Sequence, residues 1–288
     1  MVLSLKRRTV ISLILVLILL ALFLFSYAQN NWLSITKQTV SSAKIPAAFN
    51  GYRIVHLSDL HGKTFGFGQR PLLKAVRKQH PDIIVFTGDM IDSDTSGNRS
   101  RSLTLMRGLV KIASVYWVTG NHERIADLAG LERELTDVGV QVMNNRGQLL
   151  TREGASLWLS GIDDPRIGSL SGSQDTEVIV NENMDRSVEN RPDGLYTLLL
   201  SHRPEILDFY ARKGFDLIFT GHAHGGQFRL PFLGPIYAPD QGYYPKLTEG
   251  VHTEGDSVMV ISRGLGNSDI PQRLFNRPEV VVVTLRKI

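Results

Sequence analysis

Cysteine is absent from the 288 residues, so neither a disulfide framework nor a thiolate metal site can form. Any metal must be held by His, Asp, Asn or carbonyl oxygen, and the redox compartment stays open. Also missing is a basic run interleaved with aromatics. The net charge of +4 comes from a few residues near the N-terminus and others scattered along the chain. That balance mildly favours an anionic substrate or a membrane surface and argues against nucleic acid as a partner. The chain has no internal repeat and no heptad. It has enough apolar residues, 42%, for an ordinary packed core.

One long apolar run exists. Lys6-Arg7-Arg8 precedes Val10 to Ala28, which is interrupted only by Ser12 and Ser26 and is long enough to cross a bilayer as a helix. The preceding charges predict a cytoplasmic N-terminus, a single pass, and a catalytic domain on the outer face of the cell membrane. The second reading is a cleaved export signal: Ser26-Tyr27-Ala28 resembles a cleavage site, and Arg7-Arg8 hints at twin-arginine export. Residues 1–28 are thus expected as anchor or signal, 29–50 as a polar stalk, and 51–288 as the globular domain.

Within that domain, apolar β-prone runs repeatedly end in hard donors. Tyr52 to Leu57 leads into Asp59-Leu60-His61, and Ile83 to Phe86 into Gly88-Asp89. Val115 to Val118 leads into Gly120-Asn121-His122-Glu123, Leu195 to Leu200 into His202, and Asp216 to Thr220 into Gly221-His222-Ala223-His224. These donors can converge only if their strands share a sheet edge. Helical spacing at Pro71–Gln79, Leu103–Ile112 and Asp127–Val138 supplies βαβ crossovers. Val140–Leu149 and Ser156–Ile162 read as antiparallel strands of a mixed second sheet. Residues 168–190, rich in Ser, Asn and acids, read as an insertion. Residues 227–250, rich in Gly, Pro and Tyr, read as a loop over the site.

Two carboxylates, an amide and up to five imidazoles suit a pair of divalent metal ions, manganese first and iron or zinc as alternatives; magnesium rarely takes so many nitrogens. A central Asp can bridge two ions about 3.5–4 Å apart that share a hydroxide nucleophile, which points to phosphoester hydrolysis. The ordered blocks Asp59-x-His61, Gly88-Asp89, Gly120-Asn121-His122-Glu123, His202 and Gly221-His222-x-His224 resemble the signature of calcineurin-like metallophosphoesterases over roughly residues 52–226. Ser262–Gly266 and Arg273–Glu279 are similar to a membrane-attached bacterial branch of that family.

The resemblance implies a four-layer αββα sandwich of two mixed sheets flanked by helices, behind the N-terminal transmembrane helix. It implies one metal on Asp59, His61, Asp89 and His224, and the other on Asp89, Asn121, His202 and His222. His122 would be the catalytic acid at the leaving oxygen rather than a ligand. The expected activity is hydrolysis of a phosphodiester or pyrophosphate bond, in a substrate that is lipid- or nucleotide-linked. Alternatives are a UDP-2,3-diacylglucosamine-type sugar-lipid pyrophosphatase and a catalytically silent metal-containing protein that binds envelope polymers. Oligomeric state is left open.

Other residues read more blandly. His56 lies inside a strand, His80 precedes Pro81 and His252 sits in a late loop, so all three are expected to be structural. Glu123, Asp92 and Asp94 are expected near the site without direct metal contact, and Asp163-Asp164-Pro165 as a turn. Arg203, Arg263 and Arg273 are candidates for an anionic head group. Phe228, Tyr237, Tyr243 and Tyr244 are candidates for stacking on a base or an acyl chain.

Overall fold

The structure is a computed structural model describing residues 2–93, 95–167, 176–267 and 270–288, with the backbone alone for residues 2–6. Helix α1 (Val2–Asn31) carries the apolar run and passes through β1 (Ser34–Ser42) to β2 (Arg53–Leu57). The crossovers α2 (Arg70–Arg77) and α3 (Ser96–Leu109) lead to β3 (Ile83–Thr87) and β4 (Ser114–Val118), and α4 (Leu128–Asp137) leads to β5 (Gln141–Val142). Then follow β6 (Arg146–Arg152), β7 (Ala155–Gly161), α5 (Thr176–Val188), β8 (Thr197–Leu200), α6 (Leu207–Arg212) and β9 (Leu217–Thr220). Short strands β10 (Arg229–Leu230), β11 (Gly234–Pro235), β12 (Tyr237–Ala238) and β13 (Gly242–Tyr243) form two small hairpins before β14 (Gly250–Glu254), β15 (Ser257–Ile261) and β16 (Glu279–Lys287).

Two six-stranded sheets result, ordered β1-β16-β2-β3-β4-β5 and β14-β15-β9-β8-β7-β6. Each is mixed. β2, β3, β4 and β5 run parallel while β16 opposes β2; β15, β9, β8 and β7 run parallel while β14 and β6 oppose their neighbours. The sheets face each other across a core containing Ile54, Val85, Leu198 and Phe219. Leu72, Val76, Leu105, Met106 and Leu131 of the helices cover the outer face of the first sheet. Val180, Met184 and Tyr210 cover that of the second. This is the expected αββα sandwich. β3, β8 and β9 are buried along their whole length, which is why they read as unbroken apolar runs.

Three expectations need correction. Residues 29–50 are not a free stalk: Ser34–Ser42 pairs in parallel with β16, at the opposite end of the chain. As an edge strand it alternates half-buried and exposed residues, and its partner, some 240 residues away, left no local trace. Helix α3 starts at Ser96 rather than Leu103, with Thr95 Oγ1 accepting from Asn98 N at 3.3 Å. The buried residues of its first two turns are polar: Asn98 receives Asp92 N and Ser102 Oγ donates to Met90 O at 2.8 Å, so the apolar period begins late. The reading of 168–190 as an insertion fails over Thr176–Val188, a helix burying Val180, Asn183, Met184 and Ser187; residues 168–175 lie outside the described residues.

Helix α1 contains a 25-residue stretch, Arg7–Asn31, with no buried residue and an 18-residue window of mean hydropathy 3.0. It is long and apolar enough to cross a membrane.

His56 is structural, as expected. On β2 it points between the sheets, with Nε2 2.8 Å from Thr87 Oγ1 and its ring edge-on to Phe219 at 5.2 Å. Burial lowers its pKa to about 3. The unfolded chain binds this proton near pH 6.5, so stability is intact above that value and falls as pH drops toward 3, by about 1.4 kcal/mol per unit for this group. In urea titrations of the chain in detergent, His56→Leu should shrink the stability difference between pH 7 and pH 5 by about 2 kcal/mol. An unchanged difference would show that the imidazole is charged in the fold.

Candidate metal centre

The carboxyl ends of β2, β3, β4, β8 and β9 meet at one edge, and the chain turns sharply there. Asp59, His61, Asp89, His222 and His224 all adopt left-handed backbone conformations, with φ of 51°, 49°, 52°, 65° and 49°. Such conformations cost of order 1–3 kcal/mol each and cluster where function demands them. Backbone bonds hold the turns: Asp59 N donates to Gly88 O and His61 N to Asp89 O, each at 3.0 Å. The loops approach closely enough that a β-carbon on Gly120 would overlap Asp89 Oδ1, and one on Gly221 would overlap Ser58 Oγ and Asp59 Oδ2.

All eight residues singled out by sequence come together. Asp89 Oδ2 lies 3.2 Å from His202 Nε2 and 3.6 Å from His61 Nε2. His224 Nε2 is 3.4 Å from Asp59 Oδ1 and 3.1 Å from His61 Nε2. His222 Nδ1 and Asn121 Oδ1 approach His202 Nε2 at 3.2 and 3.3 Å. Asp59, His61, Asp89 and His224 form one compact group of donors, and Asp89, His202 and His222 form a second. His122 stands beside them, its ring 4.7 Å from that of His61 and nearly perpendicular.

The partners of these rings fix where their protons go. His202 Nδ1 donates to Thr87 O at 2.7 Å, which turns Nε2 toward the centre. His222 Nε2 donates to Asp240 Oδ2 at 2.9 Å, leaving Nδ1 bare. His202 Nε2 and His222 Nδ1 confront each other at 3.2 Å, which calls for a proton or a metal ion between them; burial lowers the His202 pKa, but Asp89 outweighs it and raises it to about 10, so without metal the proton is there. Asp59 Oδ2 is buried without a hydrogen-bond partner. Burial pushes the Asp59 carboxyl above its ordinary value even with His202 nearby, so protein groups alone leave that corner short of positive charge. For Asp89, burial opposes ionisation, but His202 holds the carboxyl well below the usual range. The donor set fits divalent cations.

The structure shows what the neighbouring carboxylates do and adds one, Asp240, that the sequence did not reveal. Glu123 is fully buried, and its carboxylate accepts from the backbone N–H groups of Asp89, Met90, Ile91 and Gly120 at 2.9, 2.7, 3.3 and 2.6 Å, tying the β3 loop to the β4 loop. Asp240, from the loop expected to cover the site, orients His222 and is itself held by Arg203 and Arg166 at 2.7 and 3.1 Å. Nothing in the local sequence marks it. Asp92 lies 3.4 and 3.5 Å from the Nδ1 atoms of His61 and His122; Asp94 is outside the described residues. Asp164 forms the expected turn, its carbonyl accepting Ile167 N.

The expected anion-binding arginines are committed elsewhere. Arg203 pairs with Asp164, Glu205 and Asp240, Arg263 with Glu279 and Glu249, and buried Arg273 donates to the carbonyls of Gly266, Arg263 and Asn276. Each is neutralised or enclosed by partners that residue type alone cannot disclose. Of the aromatic candidates, Tyr237 lines the cleft and meets Tyr243 at 5.6 Å, whereas Phe228 pairs with Leu274. Tyr244 lies on a larger groove, about 890 Å³, between α6 and β14 that contains none of the eight residues.

The donors open into a cleft of about 470 Å³ lined by Asp89, Asn121, His122, His222, His224 and the exposed Arg124. Two mixed sheets delivering Asp, Asn and His from the ends of strands into one cleft define a metal-dependent hydrolase. Residues 52–226 match the calcineurin-like phosphoesterase family, and the chain belongs to that family. It is a metal-dependent phosphoric ester hydrolase.

It is 30% identical over 265 residues to the uncharacterized metallophosphoesterase YkuE of Bacillus subtilis, covering 90% of this chain and 88% of that one. It is 26% identical to the phosphodiesterase YaeI of Escherichia coli, covering 90% of each. A zebrafish transmembrane protein with a metallophosphoesterase domain is 29% identical over 98% of this chain and 63% of its own length. Among solved structures, the sulfate thiohydrolase SoxB of Thermus thermophilus superposes with a TM-score of 0.51 at 14% identity, over 84% of this chain and 58% of that one, a likeness of fold alone.

Glu123→Gln replaces an acceptor of four backbone N–H groups with an amide that brings donors of its own. It should destabilise the chain by about 1.5–3 kcal/mol and weaken manganese binding in equilibrium dialysis. Parental stability and affinity in this variant would mean the carboxylate does not hold the two loops.

Proposed function

We propose that the cleft hydrolyses a phosphodiester or pyrophosphate bond with two divalent cations, one on Asp59, His61, Asp89 and His224 and the other on Asp89, Asn121, His202 and His222. The observation that carries this reading is the pair of donor groups sharing Asp89 with His122 at their rim. Four imidazoles among seven ligands favour manganese, iron or zinc over magnesium. Such ions supply Lewis acidity toward the phosphoryl oxygens and lower the pKa of a water toward neutrality.

The chain's own groups do the rest. Asp89 holds its position by accepting His122 N at Oδ1, 2.9 Å away, which leaves Oδ2 for the centre. Asp59 does likewise through His222 N at 3.0 Å. His122 Nδ1 faces Asp92, which turns Nε2 to the cleft. As a water oxygen attacks phosphorus and gives up one proton to solvent, the bond to the leaving oxygen breaks opposite it, and that oxygen takes the Nε2 proton of His122. Arg124, exposed at the mouth, meets the substrate's remaining negative charge. Lys6-Arg7-Arg8, ahead of the apolar run of α1, support a cleft on the outer face of the membrane.

Manganese-dependent hydrolysis of a chromogenic phosphodiester should fall roughly 10³-fold or more in Asp89→Ala and in His222→Ala, and should vanish with a chelator and return with manganese. Rates that survive both substitutions would place the chemistry elsewhere.

His122→Ala should cost about 10²–10⁴ in kcat, with a larger loss for an alkoxide than for a nitrophenolate leaving group, because only the former needs a proton. Equal losses would remove the acid role.

A further inference from the structure

Strand direction fixes where the membrane lies relative to the cleft. β1 runs parallel to β16, pairing Ser34 with Glu279 and Ser42 with Lys287, and β16 runs antiparallel to β2. Ser34 therefore stands at the carboxyl edge of β2, β3 and β4, the edge that bears Asp59, Asp89 and Asn121. Helix α1 ends at Asn31, and the link from there to Ser34 spans at most about 10 Å. The apolar helix leaves the domain from the metal-bearing edge.

Side chains pin that exit. Asn30 Nδ2 donates to Pro271 O at 3.0 Å, Arg273 N to Asn30 Oδ1 at 2.8 Å, and Ser26 Oγ to Gln272 Oε1 at 2.6 Å. The Phe25 and Phe275 rings are 5.4 Å apart. Phe25 lies inside the apolar run that ends at Ala28, so a domain residue touching it sits at headgroup depth.

From Phe275 the backbone leads toward the cleft. Leu274 bridges Phe228, and its carbonyl accepts Arg229 N at 3.0 Å. Arg229 opens the β10–β11 hairpin, whose tip carries Phe232, fully exposed, and Leu233, 65% exposed. This hairpin begins five residues after His224, and Arg229 Nη1 returns to Gly225 O at 3.0 Å. Phe67, 83% exposed in the loop after β2, adds to the same edge, with the Arg70 guanidinium 5.2 Å from its ring. Large apolar side chains gathered on one edge, beside a membrane helix and with a cation among them, have the composition of an interfacial surface.

We infer that the metal-bearing edge lies against the bilayer that α1 crosses, with Phe232 and Leu233 seated at the boundary of headgroups and acyl chains, and that the cleft takes a phosphoester carried by an amphiphile of that leaflet. The substrate class rests on the phosphodiesterase reading above; the seating on the bilayer does not. The substrate need not leave the membrane, because the polar headgroup reaches the cleft while its chains stay among the lipids.

The absence of cysteine makes the test direct. The full chain carrying Phe232→Cys, labelled with an environment-sensitive dye and reconstituted in phosphatidylcholine–phosphatidylglycerol vesicles, should show a blue-shifted emission quenched by lipids spin-labelled near the headgroup. Ile288→Cys, beyond the far end of β16, should show neither. Equal quenching at both positions, or none at Phe232, overturns the proposal. So does protection that rises with protein rather than lipid concentration, which would assign the surface to a second copy.

The double variant Phe232→Asp/Leu233→Asp should hydrolyse a phosphodiester-linked lipid in those vesicles at least tenfold more slowly while keeping parental rates on a soluble chromogenic diester. Equal loss on both, or no loss on the lipid, rejects the amphiphile substrate. A parental chain inactive on the soluble diester would instead reject the activity itself, leaving the quenching result to stand or fall alone.

Discussion

Buried ring nitrogens and carboxylate oxygens turned on one point are the constraint from which the rest of this structure follows. His202 and His222 each commit one ring nitrogen to an acceptor, Thr87 O and Asp240 Oδ2, and aim the other at a common point. Asp59 and Asp89 bring carboxylate oxygens to the same place from a different sheet. Without cations such a cluster is a cost to folding, because its desolvated carboxylates and imidazoles are paired chiefly with one another and Asp59 Oδ2 has no partner. With two divalent ions it becomes an asset, and the left-handed turns that aim the donors are offset by ligation.

The architecture serves that cluster. Parallel strands from both sheets end at one edge, so donors far apart in sequence meet without long loops. Supporting groups then lock the loops: Glu123 gathers four backbone N–H groups, and Asp240, held by Arg203 and Arg166, joins the covering loop directly to His222. The first sheet has a further consequence, because its edge strand β1 starts beside the same loops and brings the apolar helix with it.

Much of this was legible in the sequence, for a specific physical reason. β3, β8 and β9 are buried on both faces and stop just before the clustered donors, so apolar run and donor are adjacent in the chain. What escaped notice depends on partners distant in sequence. β1 is polar and alternating because its pairing is with β16; α5 hides its buried stripe among polar residues; and Arg203, Arg263 and Arg273 look like free cations until Asp164, Glu279 and the carbonyl cage around Arg273 are placed beside them. Asp240 carries no motif at all, and the fold alone brings it to His222.

The central claim is that these donors hold two cations sharing Asp89. Anomalous diffraction from crystals of the manganese-loaded chain, recorded at the manganese edge, measures this directly. The account predicts two peaks about 3.5–4 Å apart, flanking Asp89, one among Asp59, His61 and His224 and the other among Asn121, His202 and His222. A single peak, or peaks away from Asp89, would contradict it.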